Sequence, residues 1–106
     1  DEDADEIKRL TNNNDLLLPF FKDDNYVQYI ERDFIDGFGH YFRPDRIAHN
    51  PQSKETYILD YKTGEEYDAH KKQLRRYAAC LSKMGWKVKA AYLLYLDRYI
   101  TEEVSL

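Results

Sequence analysis

The chain has a single cysteine, Cys80, so no internal disulfide can form, and a reducing, cytoplasmic setting is expected. No run of about eighteen apolar residues occurs, and no membrane-spanning helix is expected. The opening Asp1-Glu2-Asp3-Ala4 is not a basic segment followed by an apolar one, so no secretory leader is expected. A start without methionine is expected of a piece taken from a longer protein. There is no Gly-rich phosphate loop, no zinc-ligand spacing and no nucleophile–histidine arrangement. An excess of basic charge is lacking too: 16 Lys and Arg stand against 20 Asp and Glu, a net charge of −4. That balance argues mildly against nucleic-acid binding, because polyanion affinity comes largely from Lys and Arg neutralising phosphates. A site built for divalent cations carries its own acids, however, and the cation reverses the local field once bound.

What is present is a chain of 106 residues, 42% apolar, with ten tyrosines. That is enough for one core and too little for two, so residues 1–106 are expected to form a single domain. Ile7 and Leu10 fit one face of a short leading helix, ended by Asn12 to Asn14. Leu16, Leu17, Leu18, Phe20 and Phe21 follow as an apolar cluster interrupted by Pro19, and residues 1–25 together make a helical lead-in. From Tyr26 to Ile35 the pattern is that of a strand, with Val27, Tyr29 and Glu31 on one face and Tyr26, Gln28 and Ile30 on the other. Asp36-Gly37-Phe38-Gly39 signals a hairpin turn, a second strand is expected over His40 to His49, and Asn50 to Ser53 forms another turn. Thr56 to Lys62 makes a third strand, closed by Thr63-Gly64. Three strands joined by short turns imply an antiparallel meander.

The period then changes. Leu74, Tyr77, Ala78, Leu81 and Met84 fall at helical spacing, so Asp68 to Met84 is expected to be an amphipathic helix, capped by Asp68 and Gly85. Val88 to Leu96 is almost continuously apolar, as in a strand covered on both faces. A helix crossing over between two strands sets that last strand parallel to the third. The expected fold is α/β, in the order helix, three strands, helix, strand, with a mixed central sheet.

Within this frame one group of residues stands out. Asp60 and Lys62 are two apart on a strand and leave the same face. A short hairpin lets Asp45, of Pro44-Asp45, lie across from them. Two converging carboxylates repel, and a bound Mg²⁺ removes that cost because it prefers hard oxygen ligands. Lys62 can then orient an attacking water or stabilise charge developing on a phosphorane-like transition state. Pro-Asp, a gap of fourteen residues, then Asp-x-Lys resembles the active-site signature of the PD-(D/E)xK nuclease superfamily. Asp60-Tyr61-Lys62-Thr63-Gly64 is similar to the "D-Y-K-T-G" of RecB-type nucleases, and Gln73 with Tyr77 to their "Q-x-x-x-Y". Arg43-Pro44-Asp45-Arg46-Ile47, Met84-Gly85-Trp86 and Tyr92-Leu93-Leu94-Tyr95 resemble the C-terminal nuclease module of bacterial UvrD/AddA-type helicase–nucleases.

The resemblance covers residues 26–97 as a catalytic core. It implies a restriction-endonuclease-like α-β-β-β-α-β fold and Mg²⁺- or Mn²⁺-dependent hydrolysis of DNA phosphodiesters, as an exonuclease in DNA repair and recombination. By that resemblance Asp45 and Asp60 are metal ligands, Tyr61 lends its backbone carbonyl to the metal, and Lys62 is the catalytic lysine. Gln73 and Tyr77, one helical turn apart, hold the scissile strand, and Glu31 fits an additional acidic position. The partners implied are DNA, the helicase domains of a parent polypeptide and a second subunit. Since nothing here resembles an ATP site, unwinding would belong to those helicase domains, which could also do most of the strand-holding. Many RecB-type nucleases carry a metal-binding histidine on a helix before the first strand. His40, His49 and His70 all lie after that point, so none is that residue.

Blander readings stand beside these. Tyr77 belongs to the apolar stripe and can be core. Glu31 can be an exposed strand residue, and Cys80 a half-buried helix residue. Lys71, Lys72, Arg75 and Arg76 form a stripe away from Leu74 and Leu81, which reads as a solvated face or as a DNA contact. Glu6-Ile7-Lys8 has no partner acid and reads as surface. The alternative function is a catalytically silent module of the same fold that binds DNA or docks a partner subunit.

Overall fold

The computed structural model describes residues 15–106 except 36, 66, 67 and 99. The helix expected around Ile7 and Leu10 lies outside the described residues. A short 3-10 turn (Asp15–Leu17) leads into α1 (Leu18–Phe21). Pro19 does not interrupt this segment. It sits in the first turn, where a helix needs no N–H from it. The carbonyls left open at the end of so short a helix are taken by side chains from the sheet: Gln28 Nε2 donates to Pro19 O at 2.8 Å and Arg46 Nη2 to Phe20 O at 2.7 Å.

The remaining elements are β1 (Val27–Ile30), β2 (Phe34–Ile35), β3 (Tyr41–Phe42), β4 (Arg46–His49), β5 (Glu55–Lys62), α2 (Asp68–Lys83), β6 (Lys87–Tyr95) and β7 (Ile100–Val104). Five strands form one mixed sheet in the order β1-β4-β5-β6-β7, while β2 and β3 make a separate two-stranded hairpin. β1, β4 and β5 run antiparallel as a meander, and β6 lies parallel to β5 after the α2 crossover. The described residues are thus mixed α/β, a five-stranded mixed sheet with two α-helices. Among the described residues, no helix is long and apolar enough to cross a membrane.

Three expectations need correction. The strand read over Tyr26 to Ile35 breaks at Glu31, whose φ of 49° no extended strand allows. The strand read over His40 to His49 is likewise divided, into β3 and β4, with Arg43, Pro44 and Asp45 between them. After Leu96 the chain adds β7, antiparallel on the outer edge of β6. Its sequence, Ile-Thr-Glu-Glu-Val, has too little apolar alternation to announce a strand. Pairing with β6 makes it one.

The alternation of side chains along each strand sorts the core into two clusters. Ile47, Ile58, Leu93, Tyr95 and Val104 face α2 and meet Leu74, Tyr77, Ala78 and Leu81. Ala48, Leu59, Ala90, Tyr92 and Leu94 face the other way and are covered by Leu17 and Phe20. Leu74 and Leu81 are fully buried, each contributing roughly 1.5–3 kcal/mol. Met84, counted into the same stripe, instead lies past the helix end and is exposed. Leu16 and Leu18 of the leading cluster also face outward. His49 is buried, with its ring stacked on Trp86 at 3.7 Å. The Thr56 hydroxyl gives its one proton to Lys54 O, so His49 Nδ1, 2.8 Å away, must be the donor to Thr56. Burial and the Lys54 charge lower its pKa, leaving a neutral structural histidine.

α2 ends in a paired arrangement of backbone bonds, Trp86 N–H to Leu81 O at 3.2 Å and Gly85 N–H to Ser82 O at 3.0 Å. This closure requires Gly85 at φ 89°. A Cβ there would touch nothing within 4 Å, so Gly85→Ala should cost only the left-handed backbone, about 1 kcal/mol. In a calorimetric melt the variant should unfold roughly 4–8 °C lower in a single transition. An unchanged melting temperature would show that the cap adds nothing.

Candidate functional site

The β4–β5 ladder ends at the pair Arg46 and Leu59. Asp45 and Asp60 face each other beyond it as a non-hydrogen-bonded pair, in the alternation set by Asn50 N–H to Glu55 O, and there the side chains make the cross-strand bonds. Asp45 N–H donates to Asp60 Oδ1 at 2.8 Å, and Tyr61 N–H donates to Asp45 Oδ2 at 2.8 Å. Each carboxylate thus accepts an N–H from the opposite strand, and the two acids are locked side by side. Pro44, fully buried, fixes the approach of Asp45, and the carbonyl of Asp45 accepts Glu31 N–H at 2.9 Å.

Asp60 faces α2 and is 3% exposed. Burial pushes its carboxyl up to about 6. The N–H bond from Asp45 opposes that rise, the Asp45 charge adds to it, and the Lys62 charge opposes it. Lys62 leaves the same face as Asp60. Its Nζ lies 3.9 Å from Asp60 Oδ2 and donates to Gln73 Oε1 at 3.1 Å. An ammonium only donates, so the oxygen of the Gln73 amide must face Lys62, and its NH₂ remains as a donor. Tyr77 answers to both of its readings. Its ring is buried and stacks on Phe42 at 5.5 Å, while burial and then the Asp60 charge raise its phenol, the Arg76 charge opposes this and the Asp45 charge adds to it. The Tyr77 hydroxyl therefore lies in the field of both acids and keeps its proton at neutral pH.

Asp45, Asp60, Lys62, Gln73 and Tyr77 come together at one end of the sheet, beneath α2. Lys62 O accepts Leu96 N–H on the β6 side, so strand alternation turns Tyr61 C=O to the opposite edge, toward Asp45. Glu31 stands beside the pair through its backbone, and its side chain is exposed. Among the described residues no group of three His, Cys, Asp or Glu side chains is placed to hold a metal ion. Two carboxylates and a carbonyl nevertheless form an all-oxygen donor set of the kind a hard divalent cation prefers. By the chemistry of that donor set alone the residues fit Mg²⁺ or Mn²⁺.

Two further contacts support the site, and both involve residues of the quoted motif runs to which no role was assigned. Arg46 lies 4.1 Å over the Phe21 ring, bonds Gln28 Oε1 at 3.1 Å and Phe20 O at 2.7 Å, tying α1 to the strand that follows Asp45. At the lip of the site Gly64 N–H donates to Asp97 Oδ2 at 3.0 Å and Gly64 O accepts from Arg98 Nη2 at 2.6 Å, which pins the turn after Lys62. No protein-family model matches the chain, and no curated protein matches it in sequence.

The raised Asp60 carboxyl has a thermodynamic consequence. Between about pH 4 and 6 the folded state binds the proton that the unfolded state has lost. The metal-free protein therefore gains stability as pH falls through 6, and at pH 8 the ionised Asp60 costs about 3 kcal/mol. Asp60→Asn keeps an acceptor for Asp45 N–H without the charge. In EDTA it should melt above the wild type at pH 8, with the gap closing toward pH 4. A variant less stable than the wild type at pH 8 would contradict this balance.

Proposed function

We propose that the chain is a metal-dependent deoxyribonuclease domain of the PD-(D/E)xK superfamily, RecB-type, with a restriction-endonuclease-like core. In this reading it acts as the cytoplasmic exonuclease module of an ATP-dependent helicase–nuclease in DNA repair, beside the helicase domains of its parent and a second subunit. The observation that carries the reading is the interlocked pair Asp45 and Asp60 with Lys62 3.9 Å from Asp60. A scaffold gains nothing from a buried acid whose ionisation is resisted by a neighbouring acid.

Asp45, Asp60 and the Tyr61 carbonyl would hold Mg²⁺ or Mn²⁺, which supplies a Lewis acid and lowers the pKa of water at the site. The chain's own residues do the rest. Asp45 and Asp60 keep their oxygens fixed because each is tied to the opposite backbone. Lys62, oriented by Gln73, presents a positive charge where negative charge develops on the phosphoryl oxygens. The Gln73 NH₂ and the Tyr77 hydroxyl are neutral donors one helical turn apart, suited to holding the scissile phosphate in line. The second reading, a silent module that binds DNA or docks a subunit, is favoured by the lack of a three-acid group among the described residues.

Linear single- and double-stranded DNA incubated with Mg²⁺ or Mn²⁺ should be degraded, and EDTA should stop it. Lys62→Ala should lower the cleavage rate by on the order of 10²–10³-fold while still unfolding in a single cooperative melt. Cleavage at the wild-type rate by Lys62→Ala would rule this mechanism out. Calorimetric titration with Mn²⁺ decides between the two readings. Binding that disappears in Asp45→Asn, which can still accept Tyr61 N–H, supports the nuclease, and no binding by the wild type supports the silent module.

A further inference from the structure

Lys62 is the last residue of β5, where the sheet holds the strand unevenly. The backbone ladder to β4 ends at Leu59, and past it the β4 side offers the bond from Tyr61 N–H to the Asp45 carboxylate. The β6 side stays in register to the pair Lys62 and Tyr95, and Leu96 N–H donates to Lys62 O at 2.9 Å. The direction in which the ammonium leaves β5 therefore depends on the turn just beyond it. There Gly64 takes φ 84°, which glycine adopts without strain. Both of its backbone groups are taken by one dipeptide of the β6–β7 turn. Gly64 N–H donates to Asp97 Oδ2 at 3.0 Å, and Gly64 O accepts from Arg98 Nη2 at 2.6 Å.

Arg98 does more than close that turn. Its guanidinium lies 4.7 Å over the ring of Tyr95, the residue beside Lys62 in the sheet. Tyr95 is fully buried, and its hydroxyl lies 3.3 Å from His70 Nδ1 on α2. His70 stands one helical turn before Gln73, whose Oε1 accepts from Lys62 Nζ at 3.1 Å. Arg98 thus reaches Lys62 from two directions, along the backbone through Gly64 and around through Tyr95, His70 and Gln73. The side chains of Asp97 and Arg98 are 44% and 38% exposed, and contacts between groups so wet add little to stability. What they fix is direction: how β5 leaves the sheet, and with it where the Lys62 ammonium stands beside Asp60.

We propose that Asp97 and Arg98 form a clasp that positions Lys62, with Arg98 acting through Gly64 and Tyr95 rather than by touching substrate. This deepens the nuclease reading and rests on it for the effect on rate, but the effect on Lys62 can be read without cleavage. In ¹⁵N-labelled protein the Gln73 side-chain NH₂ resonances, identified by their loss in Gln73→Glu, report the bond to Lys62. Lys62→Ala marks where they lie once that bond is gone. Arg98→Ala should move them most of the way to that position, with a single melt within about 4 °C of the wild type. Arg98→Lys, which keeps a charge and a donor, should move them less. Asp97→Ala, which frees Gly64 N–H, should act in the same direction, whereas Asp97→Asn keeps an acceptor and should leave them in place. With linear DNA and Mn²⁺, Arg98→Ala should lower kcat by about tenfold at unchanged KM and Mn²⁺ affinity, because Asp45 and Asp60 keep their own backbone bonds.

Gln73 resonances that stay at their wild-type position in both Arg98→Ala and Asp97→Ala overturn the proposal. So does a KM for DNA that rises at constant kcat in Arg98→Ala, which would make Arg98 a contact to the strand. A chain that shows both resonance shifts yet cleaves no DNA keeps the clasp and loses the nuclease reading. Cleavage that depends on Lys62 but runs at the wild-type rate in Arg98→Ala does the reverse.

Discussion

Everything at the site depends on one cross-strand exchange, in which the carboxylates of Asp45 and Asp60 each accept an N–H from the opposite strand just past the end of the β4–β5 ladder. The carboxylates satisfy the Asp45 and Tyr61 donors where the backbone ladder stops, and two acids are held at one point. The exchange is stabilising as hydrogen bonding and costly as electrostatics: Asp60 is buried, and the neighbouring acid adds to the resistance against its ionisation. A folded chain tolerates this because the cost falls on one position, next to a core of Ile47, Ile58, Leu74 and Leu93 that is fully shielded from water.

α2 converts that local arrangement into a site. Its period of 3.6 residues allows three faces on one element. Leu74, Ala78 and Leu81 bind it to the sheet, Gln73 and Tyr77 reach the acids, and Lys72, Arg76 and Lys83 are left outward. Because Tyr77 is both core and site, the packing that fixes the helix also fixes the donor. The stacked contact with Phe42 extends the same rigidity to the hairpin.

The elements legible from sequence were those whose pattern is local and repeated. α2 shows its apolar stripe and its Gly85 cap, β6 its continuous apolar run, and β5 its alternation of Thr56, Ile58 and Asp60 against Tyr57 and Leu59. The breaks were not legible, because they are made by partners distant in sequence. Nothing near Glu31 signals a positive φ, and the bond from its N–H to Asp45 O comes from across the sheet. β7 exists through its pairing with β6. The roles of Lys71 and Arg75 within the basic stripe were equally hidden, since Glu102 and the Ser105 carbonyl reach them only after β7 has docked.

The sequence alone determined which residues could meet: Pro44-Asp45, Asp60-x-Lys62 and Gln73 with Tyr77 are fixed in spacing by chain geometry, as two residues on a strand or four on a helix leave one face. Tertiary structure decided how they meet. Only the side-by-side placement of β4 and β5 puts each carboxylate on the other's backbone. Only the crossover of α2 brings the Gln73 oxygen to Lys62, and only burial raises the Asp60 carboxyl. Spacing along a chain constrains direction, whereas distance, desolvation and partner choice belong to surfaces that the folded chain alone brings into contact.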